Sequence, residues 1–416
     1  MNSIRKNAKT ITLVLALCYF ASYVTRINFA VMIVKICSEM ELPKTELAIV
    51  LTGMTLFYGM GQILNGILGD RIRAEYMIST GLALAAVCNV AITLFPVPEI
   101  MAAIWCINGF AHSMLWPPIV RLMSTYLSDE EYSYAAVRIS WGSSFATVAL
   151  YLFCPVLLGF IPWKAVMIIC ACFGLSVCVF WTFIHSKILI SPQQNSRISA
   201  TKESAATAER KPLPSYVYFP LAMIMLGIIA QGVLRDGVTN WMPSFMCESL
   251  GLSEESAIVT AVIPAIFSIV SFALFDYMNR RLIRNEALCA AVIFIGSAIT
   301  AAILYLVGAL ENTVVVTTVL LAIIIAFMHG INLILITVVP KRFIKSGRVS
   351  TYSGILNACT YVGASVSNYG FAVLAETKGW DFTILSWAVI SLVGAAICLC
   401  AVPLWKKFKK DYAECE

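Results

Sequence analysis

The chain has 416 residues, of which 60% are hydrophobic and only 12% charged, and its formal net charge is +6. A composition this apolar excludes a water-soluble globular domain, and the scarcity of charge excludes a disordered chain. The sequence reads as an integral membrane protein, whose modest positive charge needs no nucleic-acid partner to explain it.

Apolar runs near or above the roughly 20 residues required for a helical span recur along the whole length. Twelve are predicted, over about 10–34, 45–69, 76–95, 99–120, 138–160, 164–185, 216–246, 256–276, 286–309, 313–339, 348–375 and 380–404. Strands of a membrane barrel would alternate over about ten residues, and these runs are too long and too uniformly apolar for that. The expected fold is therefore all-α. Lysine and arginine near span ends stay on the cytoplasmic side. With the N-terminus inside, 23 of the 29 basic residues fall in inner segments and four, Lys35, Lys44, Lys164 and Lys378, in outer ones. Both termini are expected in the cytoplasm of a cell carrying the protein in its inner membrane. The other two basic residues, Arg26 and Arg235, are left within the bilayer.

The first run is long, contains Arg26 and has no small-residue cleavage site, so it is expected to remain as a span. Tyr19, Tyr23 and Arg26 are spaced i, i+4 and i+7, which sets two phenols and a guanidinium on one helix face. The second span ends in "GILGDR", containing Gly66, Asp70 and Arg71. In the fourth, Trp116, Pro117 and Pro118 predict a kink, and His112 reads as a packing residue unless it touches substrate or a proton. Residues 186–215 are rich in Ser, Ala, Pro and charge and predict a flexible cytoplasmic linker. This divides the chain into 1–185, an N-terminal six-helix bundle; the linker 186–215; and 216–416, a C-terminal six-helix bundle whose basic tail, "KKFKK", is read as an inner-leaflet anchor. The 14 cysteines lie mostly in spans without metal-ligand spacing and read as small core hydrophobes.

The two halves echo each other. Asp70 and Asp276 lie 206 residues apart at the ends of the second and eighth spans, and Arg26 and Arg235 lie 209 apart in the first and seventh. Internal symmetry predicts the arginines on opposite sides of one cavity. Arginine within a bilayer costs at least about 2.5 to 3.5 kcal/mol on insertion scales, so it persists where it faces a polar cavity and a partner. One partner is Asp236, the only carboxylate expected deep in a span. It adjoins Arg235, and side chains at i and i+1 diverge by about 100° on a helix, so the two are not expected to pair with each other. A transported anion is the other partner. Guanidinium groups bind oxyanions bidentately, and a phosphate presents more oxygens and charge than a carboxylate. In the tenth span His329 and Asn332 are neighbours one turn apart, and His329, like Asp236, is a candidate for proton coupling or charge tuning.

"GILGDR" resembles the G-x-L-x-D-R loop of the major facilitator superfamily, although the motif's later glycine is Arg73 here. That resemblance implies a conformational switch in which Gly66, Asp70 and Arg71 hold one transport state through pairing across the inner helix ends. "YVTRINFAVM" (23–32), "NGFAHSMLWPPIVR" (108–121), "LRDGVTNWMPSF" (234–245) and "YVGASV" (361–366) resemble, in order, segments of the organophosphate:phosphate antiporters. The resemblance implies exchange of inorganic phosphate for a phosphate ester by rocking of the halves, with Arg26 and Arg235 on the phosphate. It also implies cavity roles for Tyr19, Tyr23, Tyr58 and Tyr361. Departures from the pattern are Gln62 at the place of a second-span lysine, Ser144 at the place of a fifth-span histidine, and Asp236 at a place usually uncharged.

The expected partners are a small anion, a phosphate ester with inorganic phosphate, and membrane lipid, with no nucleic acid; the superfamily resemblance favours a monomer. No nucleophile and base pair, metal cluster or nucleotide loop stands out, so neither enzyme activity nor a cofactor is expected. Two rival readings remain open. One is proton-coupled symport of a sugar acid or other carboxylate, whose carriers often place an acid where this chain has Thr25. The other is a transporter-like sugar-phosphate sensor.

Overall fold

The computed structural model describes residues 2–42, 44–189, 212–253, 260, 262–307 and 313–413, and helices dominate it throughout. The chain divides into two compact units, one of residues 1–212 with 343–355, the other of 213–342 with 356–416. Most of the predicted linker, 190–211, lies outside the described residues.

In the first unit, α1 (Asn2–Met40), α2 (Lys44–Gly69), α3 (Ala74–Leu94), α4 (Pro98–Ser113), α5 (Trp116–Tyr126), α6 (Asp129–Leu158) and α7 (Trp163–Leu189) follow in order. The predicted fourth span is α4 followed by α5. The helix breaks at Met114 and Leu115 because Pro117 and Pro118, in the first turn of α5, lack the N–H groups a continuous helix would need. α6 starts nine residues earlier than the predicted 138. Asp129, Glu130 and Glu131 occupy its first turn, where carboxylates suit the positive helix end, and Glu131 accepts a hydrogen bond from the Ser128 N–H at 3.0 Å. A search for apolar spans misses such a charged extension. α2 packs along α4, α1 along α6 and α7, and α3 along α7, around a core that includes the fully buried Phe29 and Trp105.

The second unit holds α8 (Tyr218–Leu250), α9 (Val262–Tyr277), α10 (Glu286–Val307), α11 (Val314–Asn332) and most of α12 (Val349–Phe408). α12 contains both of the last two predicted spans. They are separated by Gly379, whose φ of 82° lies in the left-handed region that residues with a Cβ avoid. Beyond α11 the backbone widens into a π-helical turn, Leu333–Val338, a departure that is frequent at functional sites. Glu286, fully buried at the start of α10, accepts hydrogen bonds from Arg342 Nε (2.9 Å) and from Trp405 Nε1 (2.9 Å), and its other close cation is Lys409 at 3.3 Å. Lys409 of the basic tail is thus turned inward, whereas Lys406 and Lys407 are exposed.

Among the described residues, nine helical stretches are long and apolar enough to cross a membrane, the last containing two predicted spans. α2, and α4 with α5, supply the second and fourth. The twelve-helix reading therefore holds.

Candidate functional site

The residues singled out from the sequence fall into three groups, two of them built around the intramembrane arginines. In the first unit, Arg26 sits midway along α1 and its guanidinium carbon lies 4.0 Å from the centre of the Tyr58 ring on α2. The Tyr23 ring is 5.4 Å away, and Tyr19 and Tyr23 meet edge to face at 5.1 Å. Tyr19 in turn packs on Trp116, at 4.9 Å. The i, i+4, i+7 face predicted for α1 is present, and α2 and α5 extend it with a third tyrosine and an indole. A cation over aromatic faces is stabilised by the ring quadrupole while its in-plane N–H groups remain suited to an oxyanion.

What fixes Arg26 in place is a set of amides that the sequence reading did not single out. The carbonyl of Thr25, the preceding residue, accepts hydrogen bonds from Asn89 Nδ2 on α3 (2.8 Å) and Asn108 Nδ2 on α4 (3.3 Å). Asn28 Nδ2 donates to Asn89 Oδ1 at 2.7 Å, and all three asparagines are fully buried. Polar side chains joining helices inside a bilayer specify register, and asparagine inside three apolar spans was the signal available. Gln62 lies one turn beyond Tyr58 on α2, fully buried, and His112 is buried on α4. Ser144 is buried on α6.

In the second unit, Arg235 lies on α8 and its Nε and one terminal nitrogen donate to the two carboxylate oxygens of Asp236 at 2.7 and 3.0 Å. This corrects the expectation that adjacent residues cannot pair. Divergence of the Cβ directions governs short side chains, but arginine is long enough to fold back along the helix and meet the short carboxylate of its neighbour. The Tyr361 ring on α12 is 6.0 Å from the guanidinium carbon. His329, on α11, lies within electrostatic reach of both Arg235 and Asp236 and packs edge to face on Phe272 at 5.5 Å. Asn332, half-buried, ends α11 where the π turn begins. One turn before Arg235, the fully buried Gln231 donates to the Met328 carbonyl at 3.1 Å and accepts from Thr360 Oγ1 at 3.4 Å. This amide, also missed from sequence, ties α8 to α11 and α12 as the asparagines tie α1 to α3 and α4.

The third group is the loop after α2. Asp70 does not pair with an arginine across helix ends. Its two carboxylate oxygens accept the backbone N–H groups of Ser350 (2.9 Å) and Thr351 (2.8 Å), in the segment 343–355 that clusters with the first unit. These N–H groups open α12, have no partner within the helix, and mark its positive end. Arg71 is exposed. The cation at this loop is Arg121 of α5, which donates to the carbonyls of Gly69 and Ile72. Burial pushes the Asp70 carboxyl above its usual range, opposed by the bonds from Thr351 and Ser350 and by the nearby Arg121. Gly66 permits the approach: a Cβ there would lie 3.0 Å from Gly354 Cα and from the Ser350 carbonyl oxygen. Asp276, the sequence echo of Asp70, instead binds Arg280 one turn along its own helix, at 2.7 Å.

Comparison with known proteins gives a consistent result. Residues 15–368 match the Major Facilitator Superfamily. The chain is similar to the glycerol-3-phosphate transporter of Bacillus subtilis (strain 168), with 23% identity over 91% of this chain and 89% of that protein. It is also similar to a probable hexose phosphate transport protein of Chlamydia muridarum (strain MoPn / Nigg), with 21% identity over 90% of this chain and 87% of the other. A solved structure of the proton:xylose symporter XylE superposes with a TM-score of 0.79 over 96% of each chain at 11% identity, a likeness of fold alone. The chain belongs to the major facilitator superfamily and is a multi-pass membrane transporter, not an enzyme, homologous to carriers of phosphate esters.

Proposed function

We propose that the protein exchanges a phosphate ester for inorganic phosphate across the inner membrane by alternating access, and that Arg26 and Arg235 bind the phosphate. The observation that carries this reading is the presence of two intramembrane arginines at matching places in the two halves of a chain whose relatives carry phosphate esters. Tyr23 and Tyr58 stabilise the Arg26 cation, and together with Tyr19 they offer hydroxyls to the anion. Gln62 and Asn332 are assigned to the ester moiety, with Tyr361 beside Arg235. The Asp70 bond to the start of α12 serves to hold one transport state, and its release accompanies the change to the other. In that cycle the N-terminal and C-terminal bundles, 1–185 and 216–416, are the moving bodies, with both termini cytoplasmic and a single chain sufficient.

The test is counterflow in proteoliposomes loaded with unlabelled phosphate, with radiolabelled phosphate supplied outside and no proton gradient. The expected result is rapid entry that glycerol-3-phosphate or a hexose phosphate suppresses and a sugar acid does not. Entry that requires a proton gradient, or that a sugar acid suppresses, would replace this reading with carboxylate symport.

A further inference from the structure

The following inference rests on the reading that Arg235 binds the transported phosphate. A guanidinium grips an oxyanion best through the planar edge formed by Nε and one terminal nitrogen. In Arg235 that edge is occupied by Asp236, at 2.7 and 3.0 Å. Both side chains are largely shielded, at 15% and 24% exposure. A carboxylate in this position reproduces one edge of a bound phosphate in both charge and geometry. Arg235 therefore carries a counter-ion supplied by its own helix. We infer that Asp236 is an internal stand-in for the substrate anion, which lets the empty carrier change state and so permits net phosphate transport beside exchange.

A carrier is held to strict exchange when its empty form cannot close over unneutralised charge, because closure strips water from that charge. An anion must then accompany every passage. Asp236 sets a negative charge directly against Arg235 and offsets that cation locally. Arg26, on α1, lies 4.0 Å from the Tyr58 ring centre, where the aromatic face stabilises its charge. His329 of α11 and Tyr361 of α12 also face the Arg235 pair. Incoming phosphate takes the same edge of Arg235, and Asp236 gives it up. The pair thus opposes binding and at the same time allows an empty return, two effects with one cause.

The test compares two rates in the same vesicles, with a potassium ionophore present to balance charge. One is counterflow of radiolabelled inorganic phosphate into phosphate-loaded proteoliposomes, and the other is its entry into proteoliposomes with no internal phosphate. Because the result is a ratio, it is independent of the amount of active protein. The wild-type protein is expected to show entry into unloaded vesicles well above protein-free controls. In D236N the ratio of that entry to counterflow should fall on the order of tenfold, the size of a typical coupling between two binding events, while phosphate is bound more tightly. Brisk wild-type counterflow with unloaded entry at the control level would overturn the inference and leave the exchange reading standing, as would an unchanged ratio in D236N. Absence of both kinds of entry in the wild-type protein would overturn the two together.

Discussion

The two intramembrane arginines occupy equivalent places in the two halves, yet they are stabilised differently. Arg26 rests on aromatic faces, with Tyr58 at 4.0 Å, and its backbone is fixed by asparagines reaching the Thr25 carbonyl. Arg235 is locked edge-on to a carboxylate, with its helix fixed by Gln231. Rings stabilise a cation without neutralising it, whereas a carboxylate neutralises it and competes for the same donors. Two arginines at matching sequence positions are thus held by different means, one against aromatic rings and the other against a carboxylate of its own helix.

The largest effect expected from breaking this comparison comes from removing either cation. Arg26→Ala and Arg235→Ala should each lower phosphate counterflow by about 100-fold or more, since loss of one partner of a shielded charge pair costs several kcal/mol. Expression should be preserved, because alanine is inexpensive in lipid. Second is the inner loop. Asp70→Asn retains one acceptor oxygen but turns an NH2 group toward an N–H, and the loss of a charge-assisted bond worth about 1.5 to 3 kcal/mol should slow counterflow roughly tenfold. Asp276→Asn breaks a pair on its own helix and should change counterflow less than about twofold. Third is the aromatic support. Tyr58→Leu should raise the phosphate KM about fivefold to tenfold, whereas Tyr58→Phe, which keeps the ring face, should stay within about twofold of wild type. Smallest is Asn89→Ala, which removes one donor from the Thr25 carbonyl and should lower thermal stability by about 1 kcal/mol with a KM change of only a few-fold. An Asn89→Ala effect as large as that of Arg26→Ala would mean that positioning, not charge, dominates the first unit.

Much of this was legible in the sequence, for identifiable reasons. A bilayer forces each span to satisfy its own backbone hydrogen bonds, so long apolar runs report helices directly, and the Pro117–Pro118 break in the fourth span followed from missing N–H groups. Arg26 and Arg235 stood out because their insertion cost demands a purpose. The N-terminal extension of α6 was missed because its first turn is acidic rather than apolar. The Arg235–Asp236 pair was misjudged because helix spacing describes Cβ directions and not the reach of a long side chain. The Asp70 bonds lie 280 and 281 residues away in sequence, on backbone atoms that every residue shares, and no side-chain pattern encodes them. The asparagine and glutamine clamps were readable in principle, since Asn28, Asn89, Asn108 and Gln231 interrupt otherwise apolar spans.

The proposed exchange requires the arginine at position 26. Radiolabelled phosphate counterflow, without a proton gradient, should be compared in proteoliposomes of the wild-type protein and of Arg26→Ala verified as folded by its thermal unfolding. Rapid exchange in the wild-type protein that falls to the level of protein-free vesicles in the variant is the predicted result. Exchange that persists in the variant, or that is missing from the folded wild-type protein, would contradict it.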